Sequence, residues 1–204
     1  MPTSFVVHIV DDDEAMRKSL AFMLSTAGLP VRVYDSATSF LASLATVQAG
    51  CLITDVRMPE MTGIELLQRL QAKHLTLPVI VMTGHGDIPL AVEAMKSGAV
   101  DFIEKPFAAE TIIRAVRAAE DRTGKLRRRS EEEGQITSRL ASLSERERQV
   151  LDGLVAGNAN KTIAHELGIS PRTVEVYRAN LMAKMRAKSL SELIRMTLAA
   201  RTPD

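Results

Sequence analysis

Four short apolar segments in the first half of the chain each end in polar side chains. The segments and the residues that follow them are 5–10 with Asp11 to Asp13, 51–54 with Asp55, 78–82 with Thr83, and 99–103 with Glu104 and Lys105. Parallel strands of an open α/β sheet have their ligand crevice at their carboxyl ends. The pattern therefore predicts a parallel sheet with carboxylates, a hydroxyl and a lysine gathered along one edge.

Strand and helix patterns alternate over the first 120 residues. Strands are expected near 5–10, 31–35, 51–55, 79–83 and 99–103, and helices near 14–27, 36–46, 64–73, 88–97 and 109–120. Five such repeats are typical of an α/β domain whose sheet is covered on both faces. We expect the flavodoxin-like strand order 2-1-3-4-5, with its crevice between strands 1 and 3. That order places Asp11, Asp12 and Asp55 side by side.

From Leu143 onward the pattern is all-α. Helices are expected at 145–156, 161–167, 171–186 and 190–200. Ser144 with Glu147 forms a capping box, Asn160 is a candidate cap, and Pro171 opens its helix at the first position. Four short helices with a glycine turn before Ile169 and Ser170 predict a helix-turn-helix domain.

The two halves of the chain carry opposite net charge. Residues 1–124 have a net charge of −4 and residues 125–204 of +5, which together make the +1 of the whole chain. An acidic half joined to a basic half indicates a metal- or phosphate-handling domain attached to a nucleic-acid binder.

Cysteine usage and hydropathy indicate the compartment. The single cysteine, Cys51, lies in a predicted central strand and is expected to be a buried thiol in a reducing compartment. No segment approaches the roughly 18 apolar residues of a membrane span, and the N-terminus lacks a secretory signal. We therefore expect a cytoplasmic protein.

A charged stretch separates the two halves. Lys125 to Arg129 is basic, 131–133 is acidic, and Gly124 and Gly134 interrupt it. The stretch is either a solvated linker or a continuation of the helix at 109–120, and its basic residues could also touch DNA phosphates.

The clustered aspartates favour phosphoryl chemistry. Two carboxylates 4 Å apart repel by about 4 kcal/mol at an effective dielectric of 20, so the cluster needs a cation, and its oxygen ligands suit Mg²⁺. Asp55 is the candidate nucleophile, which would form an acyl phosphate. Lys105 would stabilise the new phosphate oxygens and Thr83 could donate its hydroxyl to one. Taken singly, each residue could be an ordinary turn or helix-terminal residue.

Residues 1–120 resemble the receiver domain of two-component response regulators. The resemblance is carried by Ile9–Asp13, Thr54–Pro59, Met82–Gly84 and Glu104–Phe107. It implies that Asp55 is the phosphoacceptor. It further implies a Mg²⁺ site formed by Asp12, Asp55 and the Arg57 backbone carbonyl, with Asp11 acting largely through water.

The same resemblance assigns the switch residues. Thr83 would move toward the phosphate and Phe102 would turn inward behind it, although the bare pattern makes Phe102 a core residue. Lys105–Pro106 would be a cis peptide. Arg57 and His85 would flank the site and tune the lifetime of the acyl phosphate, unless His85 is simply a solvent-facing loop residue.

The helix from Pro171 is the candidate DNA-reading element. Residues 161–188 contain six Lys and Arg against two Glu, which favours phosphate contact. Val174, Leu181 and Met185 have core spacing. The candidate DNA contacts, which a solvated charged face would also explain, are Lys161, Thr173, Glu175, Val176, Arg178 and Lys184.

Residues 143–198 resemble the LuxR/NarL-type helix-turn-helix family, through Leu143–Glu147, Asn160–Ala164 and Ile169–Val176. With the receiver, this implies a transcriptional activator that a sensor histidine kinase phosphorylates and that then forms a homodimer, binds promoter DNA and contacts RNA polymerase. Residues 84–87 and 92–96 resemble a subfamily that controls nitrogen-fixation or oxygen-responsive genes. The expected domains are a receiver at 1–122, a charged linker, either solvated or helical, at 123–141 and the helix-turn-helix at 142–204.

One rival is a Mg²⁺-dependent phosphohydrolase on the same fold. Such enzymes place Asp-x-Asp after strand 1, whereas Asp11 and Asp12 are consecutive and the isolated Asp55 follows strand 3. We therefore expect no enzyme activity beyond the chain's own phosphate chemistry.

Overall fold

The structure, a computed structural model, describes residues 5–84 and 88–201, except for the side chain at 88. The chain divides into two compact units, Met1–Lys125 and Leu126–Asp204. None of the helices in these described ranges is both long and apolar enough to cross a membrane.

The first unit contains a five-stranded parallel sheet of order β2-β1-β3-β4-β5. Its strands are β1 Val6–Val10, β2 Val31–Tyr34, β3 Gly50–Asp55, β4 Val79–Thr83 and β5 Asp101–Glu104. Its helices are α1 Glu14–Thr26, α2 Ala37–Ala42, α3 Gly63–Ala72 and α4 Ile88–Lys96, with a 3₁₀ turn at Leu44–Thr46. Helix α5 Ala109–Ala141 begins in this unit and ends in the second. The predicted strand order is confirmed. The last strand begins two residues later than expected, and the expected helix at 36–46 is a shorter helix followed by the turn.

The central strands β1, β3 and β4 are buried on both faces of the sheet, apart from Asp55 at the end of β3. Every residue of β1 and β4 is buried. Alternate residues feed two cores: one contains Phe40 and Leu52, and the other contains Ile9 and Ile112. Full burial of such a side chain stabilises the fold by about 1.5–3 kcal/mol. A sheet buried in this way explains why its strands read as continuous apolar runs.

Two glycines permit close backbone approaches beside β3. A Cβ at Gly50 would lie 1.7 Å from the carbonyl oxygen of Val6, and a Cβ at Gly63 would lie 2.1 Å from that of Asp55. Glycine avoids both clashes because it has no Cβ. The amino end of α3, which has a Thr62 capping box, can therefore pack directly against the end of β3.

Helix α5 continues through the charged stretch to Ala141. Of the two alternatives left open by the sequence, the structure contains the helix. Salt bridges one turn apart join Arg127 to Glu131 and Arg129 to Glu133. Such exposed pairs contribute only about 0.3–0.5 kcal/mol each.

The second unit contains helices α6 Glu145–Val155, α7 Asn160–Leu167, α8 Pro171–Met185 and α9 Leu190–Arg201. The Ser144–Glu147 capping box is present, and Ser170 caps α8 ahead of Pro171. The expectation that Asn160 caps α7 was wrong. Asn160 is the first residue of the helix, and Ala159 occupies the cap position without a side-chain hydrogen bond.

The core of this unit lies between the helices. Val174, Leu181 and Met185 of α8 are fully buried, as their spacing predicted. They pack with apolar residues of α6, α7 and α9. Gly168, with φ of 64°, ends α7 in the left-handed region and allows the sharp turn into α8.

Candidate phosphoryl and DNA-binding sites

Three carboxylates converge at the carboxyl end of the sheet. Oxygens of Asp11, Asp12 and Asp55 lie within 4.8 Å of one another. The pairing of Val10 with Thr54 aligns the ends of β1 and β3, and so brings these residues together. Asp11 is fully buried, whereas Asp12 is exposed.

Lys105 is the cation of this cluster. Its Nζ lies 3.2 Å from Oδ2 of Asp11 and 3.2 Å from Oδ2 of Asp55. The backbone N–H of Lys105 donates to the carbonyl oxygen of Thr83. The Lys105–Pro106 peptide is cis, as the resemblance implied. Burial raises the pKa of Asp55, and the ammonium of Lys105 opposes that rise.

The donor set fits a divalent cation. Three carboxylates carry more negative charge than Lys105 neutralises, and carboxylate oxygens are the ligands that Mg²⁺ prefers. Asp11, Asp12 and Asp55 would hold the ion. The role of the Arg57 carbonyl stays a prediction.

Thr83 and Phe102 lie on the neighbouring strands β4 and β5, and Thr83 is joined to the cluster through the backbone of Lys105. Thr83 is buried at the end of β4. Phe102 of β5 is 45% exposed, which excludes the alternative that it is a core residue. The assignment of Phe102 as a switch residue stays a prediction. A cavity of about 390 Å³ lies between α4 and β5, and both residues line it together with Val92 and Met95. His85 lies outside the described residues.

Sequence reasoning missed Arg17, whose side chain reaches back to this site. Its Nη1 donates to the carbonyl oxygen of Asp11 at 2.7 Å. No motif indicated this bond. The only sequence signal is a basic residue one turn beyond Asp13, the residue that caps α1.

The predicted DNA contacts fall into two groups. Lys161, Glu175 and Val176 are exposed on α7 and on the first turns of α8, and Val176 is 56% exposed. Thr173 is half-buried beside Ser170, and their hydroxyl oxygens are 2.8 Å apart.

The other two predicted DNA contacts are engaged within the unit. Arg178 Nη1 donates to Oδ1 of Asn160 at 2.7 Å. Lys184 Nζ lies 2.7 Å from Oε2 of Glu147, a carboxylate with only 5% exposure. The six residues therefore do not form one uniform surface.

Comparison with known proteins decides the family. Residues 7–117 match the family described as response regulator receiver domain, and residues 141–197 match bacterial regulatory proteins, luxR family. The chain belongs to the two-component response regulators. The resemblances in both halves of the sequence are thereby confirmed.

The relatives of this response regulator are similar over nearly their whole length. It is 57% identical to the transcriptional regulatory protein FixJ of Azorhizobium caulinodans, over 98% of this chain and 95% of that one. It is 56% identical to FixJ of Rhizobium meliloti, over 97% of each chain. The crystal structure of full-length FixJ from B. japonicum matches 99% of this chain and all of that one, with 50% identity and a TM-score of 0.63.

Proposed function

We propose that a FixL-like sensor histidine kinase phosphorylates this response regulator on Asp55 in a Mg²⁺-dependent reaction. The phosphorylated receiver forms a homodimer, binds promoter DNA and activates transcription with RNA polymerase. We infer a receiver at 1–122, a helical connection at 123–141 and the DNA-binding domain at 142–204. The observation that carries this proposal is the position of Lys105 Nζ, 3.2 Å from Oδ2 of both Asp11 and Asp55.

Phosphoryl transfer to Asp55 needs an accessible carboxylate oxygen and positive charge that offsets the negative charge of the phosphoryl group. An Oδ of Asp55 attacks phosphorus, and the bond from phosphorus to the kinase histidine breaks. Mg²⁺, when bound, supplies charge stabilisation for the phosphoryl oxygens. Lys105, already beside Asp55, remains as a cationic partner for the product. Thr83 ends the neighbouring strand and supplies a hydroxyl that can donate to a phosphate oxygen.

The face formed by α4 and β5 is the proposed dimer surface. Val92, Met95 and Phe102 are each more than 40% exposed there. They adjoin the cavity that Thr83 also lines, so movement of Thr83 toward a phosphate changes the space available to Phe102. The apolar character of this face supports pairing with a second receiver.

DNA recognition is assigned to the amino-terminal half of α8. Glu175 can accept a hydrogen bond from a cytosine amino group, and Val176 can contact a thymine methyl group. Lys161, exposed on α7, would contact phosphates and position the domain. Two copies in a dimer would read half-sites about one helical turn apart.

The target genes are inferred from the relatives. Proteins named FixJ share more than half of their residues with this chain, which supports control of nitrogen-fixation or oxygen-responsive genes. Relatives with about 42% identity carry other names, so the operator must be determined directly.

Light scattering tests the switch. The full chain, 22.3 kDa as a monomer, is measured in Mg²⁺ before and after a small-molecule phosphodonor, with Asp55→Asn as the matched control. We expect a doubling of mass and one added phosphoryl group, by mass spectrometry, in the wild type alone. Phosphate on Asp55 without a change of mass would refute dimerisation, and phosphate on Asp55→Asn would refute the assignment of the phosphoacceptor.

A further inference from the structure

Arg17 holds the backbone of the loop that carries two of the three clustered aspartates. Its guanidinium Nη1 donates to the carbonyl oxygen of Asp11 at 2.7 Å. This carbonyl belongs to the residue that follows the last residue of β1. A cationic donor to a carbonyl makes a stronger hydrogen bond than a neutral one.

The rest of the loop is bonded internally. The Asp13 N–H donates to Oδ1 of Asp11 at 2.9 Å, and Oδ1 of Asp13 accepts from the Ala15 N–H at 2.8 Å. The backbone N–H of Arg17 donates to the carbonyl oxygen of Asp13 at 3.0 Å. Asp12 lies between Asp11 and Asp13. The direction of the Asp12 side chain is therefore set by a backbone that the Arg17 side chain, from α1, holds at the Asp11 carbonyl.

Arg17 and Lys105 act on different parts of Asp11. Lys105 Nζ is bonded to the Asp11 carboxylate, and so competes with a metal ion for the same oxygen. Arg17 is bonded to the backbone carbonyl. It can therefore hold the loop in place while both oxygens of the neighbouring Asp12 carboxylate stay available to a cation.

Charge and position predict opposite effects of Arg17 on metal affinity. A positive charge near the cluster repels Mg²⁺, so its removal alone would strengthen Mg²⁺ binding. If the main role of Arg17 is to position the loop, its removal weakens Mg²⁺ binding. The sign of the change therefore separates the two effects.

We propose that Arg17 is a positioning residue of the Mg²⁺ site, which orients Asp11 and Asp12 through its bond to the Asp11 carbonyl. This inference rests on the proposed Mg²⁺-dependent function of the cluster. Residues that orient metal ligands typically contribute about tenfold or more to metal affinity.

Isothermal titration with Mg²⁺ on the full unphosphorylated chain tests this role. We expect Arg17→Met to raise the Kd for Mg²⁺ about tenfold. Arg17→Lys should raise it by roughly threefold, because lysine keeps a cationic donor but lacks the planar fork of arginine. Lys18→Met is the matched control. It removes the same charge from the next residue of α1, whose side chain pairs with Glu14 instead, so the Kd should stay level or fall.

Hydrogen exchange in EDTA adds a readout that needs no metal. Amides of the 11–16 segment should exchange faster in Arg17→Met than in wild type or Lys18→Met, because the loop has lost the side-chain hydrogen bond from Arg17 to the Asp11 carbonyl. If Arg17→Met failed to fold, as judged by circular dichroism, Arg17→Lys would carry both measurements.

Three results have distinct meanings. A wild-type Kd and wild-type exchange in the Arg17 variants would overturn the positioning role. Tighter Mg²⁺ binding by Arg17→Met would overturn it in favour of simple charge repulsion. Failure of the wild type itself to bind Mg²⁺ or to accept phosphate would instead refute the proposed function.

Discussion

Lys184 was predicted to contact DNA, but its position in the fold indicates a role in stability. Its Nζ lies 2.7 Å from Oε2 of Glu147, and the exposed fractions of the two side chains are 44% and 5%. Glu147 Oε2 also accepts from the Ser144 N–H at 2.8 Å, within the capping box of α6. Replacement of Lys184 by Met therefore leaves a buried carboxylate with one partner fewer.

The expected cost can be estimated from these contacts. A hydrogen bond to a charged group contributes about 1.5–3 kcal/mol. The partly exposed Lys184 end is screened by solvent, so we take about 1.5–2 kcal/mol for Lys184→Met. For a unit of this size each kcal/mol corresponds to roughly 4–8 °C in melting temperature. The second unit should therefore melt about 10 °C lower.

The pH dependence gives an independent check. The hydrogen bond from Lys184 is the main reason that the pKa of Glu147 is lowered from its ordinary 4.5. A carboxyl whose folded pKa is depressed stabilises the fold above its unfolded pKa, and loses this contribution as the pH falls through the folded pKa. The difference between wild type and Lys184→Met should be full at pH 7 and shrink below about pH 4.5.

The assay combines thermal unfolding with DNA titration at several salt concentrations. Lys184→Met should lower the melting temperature. It should leave unchanged the slope of the logarithm of the DNA association constant against the logarithm of the salt concentration, called the salt slope below. Lys161→Met should reduce that slope by about one, with little effect on melting. Lys188→Met, an exposed basic residue just beyond α8, serves as the charge-matched control for melting.

One pattern of results would refute the reasoning. In that pattern, Lys184→Met has the same melting temperature as the wild type and reduces the salt slope by about one. Lys184 would then contact phosphate, and its pairing with Glu147 would contribute nothing to stability.

The first unit offers three further predictions. Gly50→Ala should destabilise it by about 3 kcal/mol in urea unfolding, because its Cβ would meet the Val6 carbonyl at 1.7 Å. The comparison variant Gly134→Ala lies in the second unit with open space around it, and it should be neutral or stabilise that unit by up to about 1 kcal/mol. Equal effects of the two substitutions would contradict the contact at Gly50. Burial lowers the pKa of His8, so on acidification the unfolded state takes up a proton before the folded state does. Stability should therefore fall as the pH drops below 6.5, by up to about 1.4 kcal/mol per pH unit. His8→Gln should flatten this dependence, and parallel stability curves for the two proteins would contradict the role of His8. Burial also raises the pKa of Cys51 to about 12, so iodoacetamide at pH 8 should modify the thiol only after denaturation, and equal rates in native and denatured protein would show that the thiol is accessible.

The sheet and its acidic edge could be predicted from the sequence because both depend on local patterns. Continuous apolar runs identify strands that are buried on both faces. In a parallel sheet, the residue after each strand lies at the same edge, so Asp11, Asp55 and Lys105 were brought together before any distance was known. The Ser144 cap and the helix start at Pro171 were equally visible, since each acts only within the first turn of its own helix.

Local signals were wrong or insufficient at three places in the chain. Asn160 is a good cap by type, yet it begins α7 and accepts from Arg178 instead. The stretch at 123–141 has weak helix signals and two glycines, and only the structure showed that α5 continues through it. The bare pattern alone favoured a core position for Phe102, but this residue lies on β5 at the edge of the sheet and is half exposed.

The sequence by itself determined the two-part organisation, the strand order and the gathering of the candidate phosphoryl-site residues at one edge of the sheet, because periodicity and strand ends carry that information. Only the tertiary structure decided the partners of Arg17, Arg178 and Lys184. Arg178 and Lys184 donate to Asn160 and Glu147, which are 18 and 37 residues away in the sequence. The packing of the helices brings these pairs together, and no local pattern specifies that packing. A long, flexible cationic side chain has many possible partners, and the packed backbone around it selects one.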